Sequence, residues 1–425
     1  MSTELLITNA EQLVTLAGPA RPRRGEEMRT PGIIEDGAVL VRDVEIIAAG
    51  TTSEIEPVAD PGALRIDARE RVVMPGFVDA HTHPVFAGTR EDEYEMRTLG
   101  LTYQEIALRG GGILSTVRKT RLATEEELFE LALPRLRLML EHGTTTIEAK
   151  SGYGLTVEDE LKILRVIRRL DRETPLELVP TFLGAHEIPD EYRGSPESIG
   201  SREDYIRLIV EEMLPRVASE GLAEYADIFC ESHVFTLEES KRVLERAKAL
   251  GLGIRFHADQ LSCGGGASLA AELGAATADH LEWTDEEGVE SLCRAAVMPV
   301  LLPGAVFNLG LTRHAPARAM IEAGLSVVLA TDFNPGSSPT PSMQMILSIA
   351  CTQMRMTPAE AVTAATINAA YSLNRGARLG SLEAGKQADI VIFDCSDYRQ
   401  IPYLFGINHA SIVIKSGRVV VDRDA

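Results

Sequence analysis

The pattern of apolar and polar positions separates the two ends of the chain from its centre. Residues 1–73 contain short apolar runs of alternating polarity between turn residues, and residues 375–425 have the same texture. Alternation with a period of two predicts strands, and the turn residues between them favour an antiparallel sheet. Neither end has enough strands to bury a core alone. We therefore expect residues 1–73 and 375–425 to form one small composite β-sandwich with the centre inserted between them.

The centre, residues 74–374, alternates strand-like runs with stretches in which apolar residues recur every three or four positions. The second pattern is typical of amphipathic helices. Eight successive βα units predict an α/β fold, the (β/α)8 or TIM barrel. A doubly wound sheet would normally show a glycine-rich phosphate loop after its first strand, and the sequence has none there. The eight strand candidates are residues 72–83, 144–154, 176–187, 225–235, 253–260, 276–283, 297–309 and 325–337.

Polar residues stand at the ends of these predicted strands, where such barrels carry their active sites. His81 and His83 lie two apart, which places both imidazoles on one face of a strand. His257 lies toward the end of the fifth predicted strand and Asp332 toward the end of the eighth. Other strand ends carry Glu148, Tyr153, His186, Glu231, His280, Asn308 and Asn334.

Three imidazoles and a carboxylate indicate a metal site. Taken singly, His257 has a structural explanation as a core histidine and Asp332 as a turn residue. Their joint placement at the ends of separate strands favours the metal. The set suits Zn²⁺ and also iron, so we expect one ion per subunit, Zn²⁺ or Fe³⁺, with its identity open.

Charge and cysteine content limit the partners. The formal charge of −21 would repel nucleic acid and anionic membranes, and an anionic substrate would need a local cation. The sequence begins without a basic region before an apolar run and contains no apolar stretch of membrane-spanning length, so we expect a cytoplasmic protein. The five cysteines are odd in number and widely spaced, so we interpret them as reduced thiols. A homodimer is left open.

Several motifs resemble those of the amidohydrolase superfamily, and the likeness extends over essentially the whole chain. The motifs are PGFVDAHTH at 75–83, HADQ at 257–260, DHLEW at 279–283 and ATDFNPGS at 330–337. Four further segments, HTHPVFAGTR, IEAKSGYGL, FLGAHEIP and TDFNPGSSPTPSM, are similar to one branch of that superfamily. The resemblance implies hydrolysis of the cyclic amide of 4-imidazolone-5-propanoate to N-formimino-L-glutamate in histidine degradation.

The resemblance also implies residue roles. Asp332 and His280 would move protons, His186 would stabilise an oxyanion, and Arg90 would clamp the propionate. Gln260 departs from the pattern, in which part of the family has Glu; a neutral amide cannot accept a proton, so we expect Gln260 to orient substrate. The implied metal ligands are His81, His83, His257 and Asp332, and the implied substrate contacts are Arg90, Tyr153, His186, Gln260, Asn334, Gly336 and Ser337.

Three alternatives bear on this interpretation. Lys150 could be a carbamylated lysine bridging two metals, but it follows the second strand and the fourth strand end offers no lysine. Another mononuclear amidohydrolase, such as a nucleobase-type aminohydrolase, would act on an uncharged ring, which needs no carboxylate clamp such as Arg90. A non-catalytic interaction scaffold would have no need of a complete ligand set.

Overall fold

The computed structural model describes residues 4–101, 105–106, 109–194, 198–231 and 233–424. Within these ranges the strands fall into two sheets, one built from the chain ends and one from the centre. The strands are β1 Glu4–Val14, β2 Ile33–Arg42, β3 Glu45–Thr51, β4 Leu64–Asp67, β5 Val72–Pro75, β6 Phe77–Asp79, β7 Thr144–Lys150, β8 Glu177–Ala185, β9 Tyr225–Cys230, β10 Gly253–Ile254, β11 His257–Ala258, β12 Thr277–His280, β13 Met298–Leu301, β14 Val328–Leu329, β15 Ile390–Phe393, β16 Ala410–Lys415 and β17 Arg418–Asp422.

The first sheet joins the two ends of the chain, as expected. Its order is β17-β16-β15-β5-β1-β2-β3, with β4 paired to β1. The antiparallel pairing of β15 with β5 links the C-terminal strands to the N-terminal ones. The expectation of purely antiparallel pairing is wrong, because β1 pairs in parallel with β4 and β5. The helical segments at 52–55 and 56–58 return the chain across the sheet before β4.

The second sheet runs from β6 to β14 with parallel pairing, and helices cover it. It closes where the segment after β14 meets the segment after β6. The backbone N–H of Asp332 donates to the carbonyl of His81 at 3.1 Å, and the N–H of His83 donates to that of Phe333 at 2.8 Å. The predicted (β/α)8 barrel is confirmed.

Several predicted strands differ in detail: the predicted strand 253–260 is divided into β10 and β11, and the predicted strand 325–337 is reduced to β14. Residues 72–83 form β5 in the first sheet and β6 in the barrel, separated by Gly76, where an added Cβ would lie 2.4 Å from the Thr145 side chain. The seventh ends at Leu301, because Pro303 begins a helix that runs to Asn308. Asn308 is therefore a helix residue. The domain boundaries near residues 74 and 374 stay a proposal.

The helices supply the outer layer of the barrel. In Val157–Glu173, for example, Leu161, Leu164 and Ile167 are buried at three-residue spacing. None of the helices in the described ranges has the length and apolar character needed to cross a membrane. The α-helices found there are Thr52–Ile55, Glu91–Thr98, Ile113–Leu122, Glu125–Glu141, Val157–Glu173, Arg202–Leu208, Leu214–Ser219, Leu237–Ala249, Gly266–Leu273, Glu286–Ala295, Pro303–Asn308, Ala317–Glu322, Met343–Gln353, Pro358–Ala364, Ile367–Ser372 and Gln400–Tyr403.

Candidate active site

The four residues predicted as metal ligands come together at the carboxyl ends of the barrel strands. One nitrogen from each of His81, His83 and His257 lies within 4.8 Å of the others. Asp332 Oδ1 lies 3.5 Å from His81 Nε2 and 3.7 Å from His83 Nε2. All four side chains are buried. The closure of the barrel brings Asp332 to the two histidines that follow β6.

The three imidazoles are neutral, and two of them have a carboxylate beside Nδ1. Burial lowers the pKa of His81 and His83 well below the ordinary histidine value, and it also lowers the pKa of His257. His81 Nδ1 lies 2.7 Å from Asp279 Oδ2, and His257 Nδ1 lies 3.0 Å from Asp227 Oδ2. These carboxylates keep the proton on Nδ1 and leave the Nε2 lone pair for another partner.

The donor set fits a metal ion. His81 Nε2 is buried and, within the described ranges, makes no hydrogen bond. A buried nitrogen lone pair normally has a donor or an ion beside it. Three neutral imidazoles with one carboxylate are a common ligand set for zinc and iron. His81, His280 and Asp332 form a second group of this kind, again with one ligand atom each within 4.8 Å.

Asp332 and His280 have the properties of proton-transfer groups. Burial raises the pKa of Asp332 to about 6. Burial would lower the pKa of His280, but the carboxylates of Glu282 and Asp332 raise it above its ordinary value. Both residues also have left-handed backbone conformations, with φ of +53° at Asp332 and +78° at His280. Such strain in residues other than glycine clusters at functional sites.

His186 and Tyr153 lie on one side of the cluster. The His186 ring is stacked on His83 at 5.3 Å and lies 5.3 Å from the Tyr153 ring. His186 Nδ1 donates to the Gly152 carbonyl at 2.9 Å, and burial lowers the pKa of His186 to about 3. The neutral ring therefore has a lone pair and no proton at Nε2. It can accept a hydrogen bond from a substrate N–H, but it cannot donate one to an oxyanion, so the geometry does not support the implied oxyanion role.

A buried carboxylate that the sequence did not single out fixes the turn around Tyr153. Glu160 accepts the backbone N–H groups of Gly152, Gly154 and Leu155 at 2.9, 2.7 and 2.8 Å. Its side chain is fully buried in the first turn of a helix. The sequence marks the role of Glu160 only by its position, in the first turn of the predicted helix that follows the SGYG motif.

Arg90 lies beside the loop that follows β14. It is 9% exposed, and its Nε–H donates to Thr116 Oγ1 at 2.9 Å. Its Nη2 is buried and has no hydrogen-bond partner among the residues that the structure describes. A Cβ added at Gly336 would lie 2.2 Å from Arg90 Nη1, so the absence of a side chain there makes room for the guanidinium. The free edge can receive a carboxylate.

Asn334 holds the same loop in shape. Its Oδ1 accepts the N–H groups of Gly336 and Ser337, both at 2.8 Å. Its Nδ2 donates to the Asp332 carbonyl at 2.6 Å and to Ser337 Oγ at 2.8 Å. These four bonds use both donors and both lone pairs of the amide. A direct bond from Asn334 to substrate would require one of them to be exchanged.

Gln260 is half-buried in the loop after β11, and its neighbours hold that loop. Asp259 Oδ1 accepts the N–H groups of Gly264 and Gly266 at 3.1 and 2.9 Å. Glu231 Oε1 accepts the N–H of Leu261 at 2.7 Å. The residues on either side of Gln260 are thus anchored, which fits an orienting role.

Comparison with known proteins agrees with this architecture. A sequence profile described as the amidohydrolase family matches residues 72–420. An imidazolonepropionase of Solibacter usitatus is 56% identical over 425 residues, all of both chains. One of Symbiobacterium thermophilum is 51% identical over 422 residues, covering 99% of this chain and 97% of its own.

Solved structures share the fold at low identity. An adenosine deaminase from Xanthomonas campestris with bound zinc has a TM-score of 0.71 and 20% identity, covering 99% of this chain and 93% of its own. A triazine hydrolase variant has a TM-score of 0.74 and 18% identity, covering 99% and 95%. At such identities the likeness shows the fold alone. The family profile and the full-length relatives show more: the chain belongs to the amidohydrolase family and, within it, to the imidazolonepropionases.

Proposed function

We propose that this chain hydrolyses the cyclic amide of 4-imidazolone-5-propanoate to N-formimino-L-glutamate in histidine degradation. The observation that carries the proposal is Arg90, a buried guanidinium beside the loop that bears Asp332. Among the residues that the structure describes, its Nη2 has no hydrogen-bond partner. A substrate with a carboxylate explains why a chain of formal charge −21 has this cation next to a metal-type cluster.

His81, His83, His257 and Asp332 would hold one ion per subunit, Zn²⁺ or Fe³⁺. When bound, such an ion supplies Lewis-acid polarisation of a carbonyl and lowers the pKa of water. The neutral imidazoles support this assignment, as does His81 Nε2, which is buried and has no hydrogen-bond partner in the part of the chain that the structure describes.

The side chains of the site would divide the remaining work. Arg90 binds the propionate, and His186 Nε2 accepts a hydrogen bond from a ring N–H. As the water oxygen forms its bond to the ring carbonyl carbon, Asp332 Oδ2 takes the proton of that water. The ring carbon–nitrogen bond then breaks, and the proton passes to the departing nitrogen, with His280 as a second proton carrier. Tyr153, Gln260, Gly336 and Ser337 would orient the substrate.

The proposal extends to the ligand, the oligomeric state and the location of the protein. We propose one small anionic substrate as the ligand, and a homodimer stays a prediction. The described residues include all five cysteines, and none of them forms a disulfide, which fits the proposed cytoplasmic location.

The function is tested by assaying ring opening of the imidazolone with the metal-loaded protein and its Arg90→Met variant. Loss of the guanidinium leaves the propionate unpaired, so kcat/KM should fall by the equivalent of about 2 to 5 kcal/mol. Arg118→Met, which removes an exposed arginine, should act like the parent protein.

The decisive comparison uses an imidazolone that lacks the carboxylate. On that compound Arg90→Met and the parent should have equal rates, with equal metal content. An equal loss on both compounds would reject the clamp. If the parent instead deaminated an uncharged nucleobase and left the imidazolone intact, the nucleobase-type alternative would replace the proposal, and no turnover of either by metal-loaded protein would favour the interaction scaffold.

A further inference from the structure

Lys150 is a fully buried cation at the end of β7, underneath the histidine cluster. Its Nζ lies 2.8 Å from Glu148 Oε1 and 2.7 Å from Asp227 Oδ2, and 3.8 Å from Asp279 Oδ2. All four side chains have no solvent exposure. The ammonium is directed at carboxylates and not at the site, so Lys150 has neither the free amine nor the position of a carbamylated metal ligand.

Two of the three carboxylates near Lys150 are those that face the imidazoles. Asp227 Oδ2 faces His257 Nδ1 at 3.0 Å, and its Oδ1 accepts the backbone N–H of His257 at 3.2 Å. Asp279 Oδ2 lies 2.7 Å from His81 Nδ1. One cation thus reaches two of the proposed metal ligands through one carboxylate each.

Glu148 extends the same network to the backbone between His81 and His83. Its Oε2 accepts the N–H of Thr82 at 3.3 Å. Arg255, also fully buried, lies 3.8 Å from both Glu148 Oε1 and Asp279 Oδ2. Three carboxylates therefore share two cations, all without solvent exposure, and Lys150 is the cation within hydrogen-bonding distance of two of them.

Removal of Lys150 would unbalance this cluster. Burial would lower the pKa of Lys150, but Asp227 and Glu148 raise it overall, so it stays charged. Without the ammonium, Asp227 would lose a contact of 2.7 Å and Asp279 one of 3.8 Å. A buried carboxylate that loses its cation is strongly destabilised where it stands, so its side chain tends to move. A displaced carboxylate no longer directs the imidazole beside it.

We infer that Lys150 is a positioning residue of the metal centre: it holds Asp227 and Asp279 in place, and these two carboxylates fix the orientation and tautomer of His257 and His81. The inference rests on the proposed metal centre. Partners of this kind typically contribute about 10- to 100-fold to metal affinity.

The test measures zinc affinity by competition with a chromogenic chelator for the parent, Lys150→Met, Lys150→Arg and Lys415→Met. Lys415 is the matched control: it is 6% exposed, and its Nζ lies 2.7 Å from Asp389 Oδ2 in the sheet of the chain ends. We expect Lys150→Met to bind zinc about 10- to 100-fold more weakly. Lys150→Arg, which keeps the charge, should recover part of the affinity. Lys415→Met should lose thermal stability and keep parental affinity.

The outcomes separate the two proposals. Parental affinity in Lys150→Met, or equal losses in Lys150→Met and Lys415→Met, would overturn the role of Lys150. If Lys150→Met does not fold, Lys150→Gln is measured under the same criteria. His257→Ala is included because full zinc content in that variant, or no zinc in the parent, would reject the metal centre and the inference with it.

Discussion

At the scale of single residues, Gly336 sets the position of the proposed carboxylate clamp. A Cβ at this residue would lie 2.2 Å from Arg90 Nη1. The guanidinium cannot move away without straining the hydrogen bond that its Nε–H donates to Thr116 Oγ1. We expect Gly336→Ala to displace the guanidinium and to raise KM about 10-fold or more, on the scale seen when a positioned group moves by an ångström. The measurement is steady-state kinetics with the imidazolone and with its analogue lacking the carboxylate.

Gly264→Ala is the matched control, since a Cβ there would meet nothing nearer than 3.8 Å. It should keep the parental KM. Gly336→Ala should also turn over the analogue at the parental rate and retain its metal. A parental KM for the imidazolone in Gly336→Ala would show that the guanidinium does not need this space.

Residue identities were predictable where spacing limits geometry. The separation of two between His81 and His83, and the places of His257 and Asp332 at strand ends, led to a cluster that the structure does assemble. Hydrogen-bond directions were not predictable. His186 Nε2 is an acceptor because Nδ1 donates to the Gly152 carbonyl. The Asn334 side-chain amide makes all four of its hydrogen bonds to groups of its own loop. Both follow from three-dimensional contacts that no spacing encodes.

At the scale of elements, the turn before Val157–Glu173 depends on Glu160. This carboxylate accepts three backbone N–H groups around Tyr153, and Gly152 in the same turn orients His186. Glu160→Gln removes the negative charge and places an NH₂ group against N–H donors. We expect kcat/KM to fall about 10-fold or more, because a small displacement of positioned groups is costly. In a Tyr153→Phe background the same change should cost less, since coupled residues are not additive.

Glu360→Gln separates this effect from lost stability. Glu360 is an equally buried carboxylate in the first turn of Pro358–Ala364, where it accepts the N–H of Thr357 at 2.7 Å and pairs with Arg29. Both variants should unfold at lower temperature, and Glu360→Gln should keep parental kinetics. Equal kinetic constants for Glu160→Gln and Glu360→Gln would contradict a positioning role for Glu160.

Elements were predictable from periodicity, and their ends were not. The run 72–83 reads as one strand, although Gly76 divides it between two sheets. The run 297–307 contains no polar side chain, so nothing in its hydrophobicity marks the change from strand to helix after Leu301; the proline at 303 does.

At the scale of the whole molecule, Glu177 ties the barrel to the sheet of the chain ends. At the start of β8, it accepts from Arg375 at 3.0 Å and from Arg378, and Lys415 of β16 lies 3.6 Å away. Burial would raise the pKa of Glu177, but these cations lower it overall below its ordinary value. A lowered folded-state pKa stabilises the protein above the unfolded-state pKa, about 4.3, and that stability is lost as the pH falls through the folded-state value.

We therefore expect Glu177→Gln to lower the free energy of unfolding by about 1 to 3 kcal/mol at pH 7. The difference from the parent should shrink as the pH falls below about 4, because the parent then loses the same charge. Urea unfolding at a series of pH values measures it. Glu173→Gln, an exposed glutamate on a neighbouring helix, should stay within about 0.5 kcal/mol throughout. A difference that stayed constant with pH would mean that the Glu177 charge is not responsible.

The joining of the chain ends was also predictable at this scale, because neither end has enough strands to bury a core alone. The parallel pairing of β1 with β4 and β5 was not, since alternation is the same for both strand directions.

The closure of the barrel has a consequence for how the protein is made. The first and last barrel strands meet where His83 bonds to Phe333 and Asp332 bonds to His81. On a ribosome, residue 81 emerges early, and residue 332 of 425 much later. A nascent chain can therefore offer His81 and His83 long before Asp332 arrives. Complete metal coordination would be a late event in biogenesis, because the ion would join the two sides of a barrel seam that cannot close before residue 332 has been made.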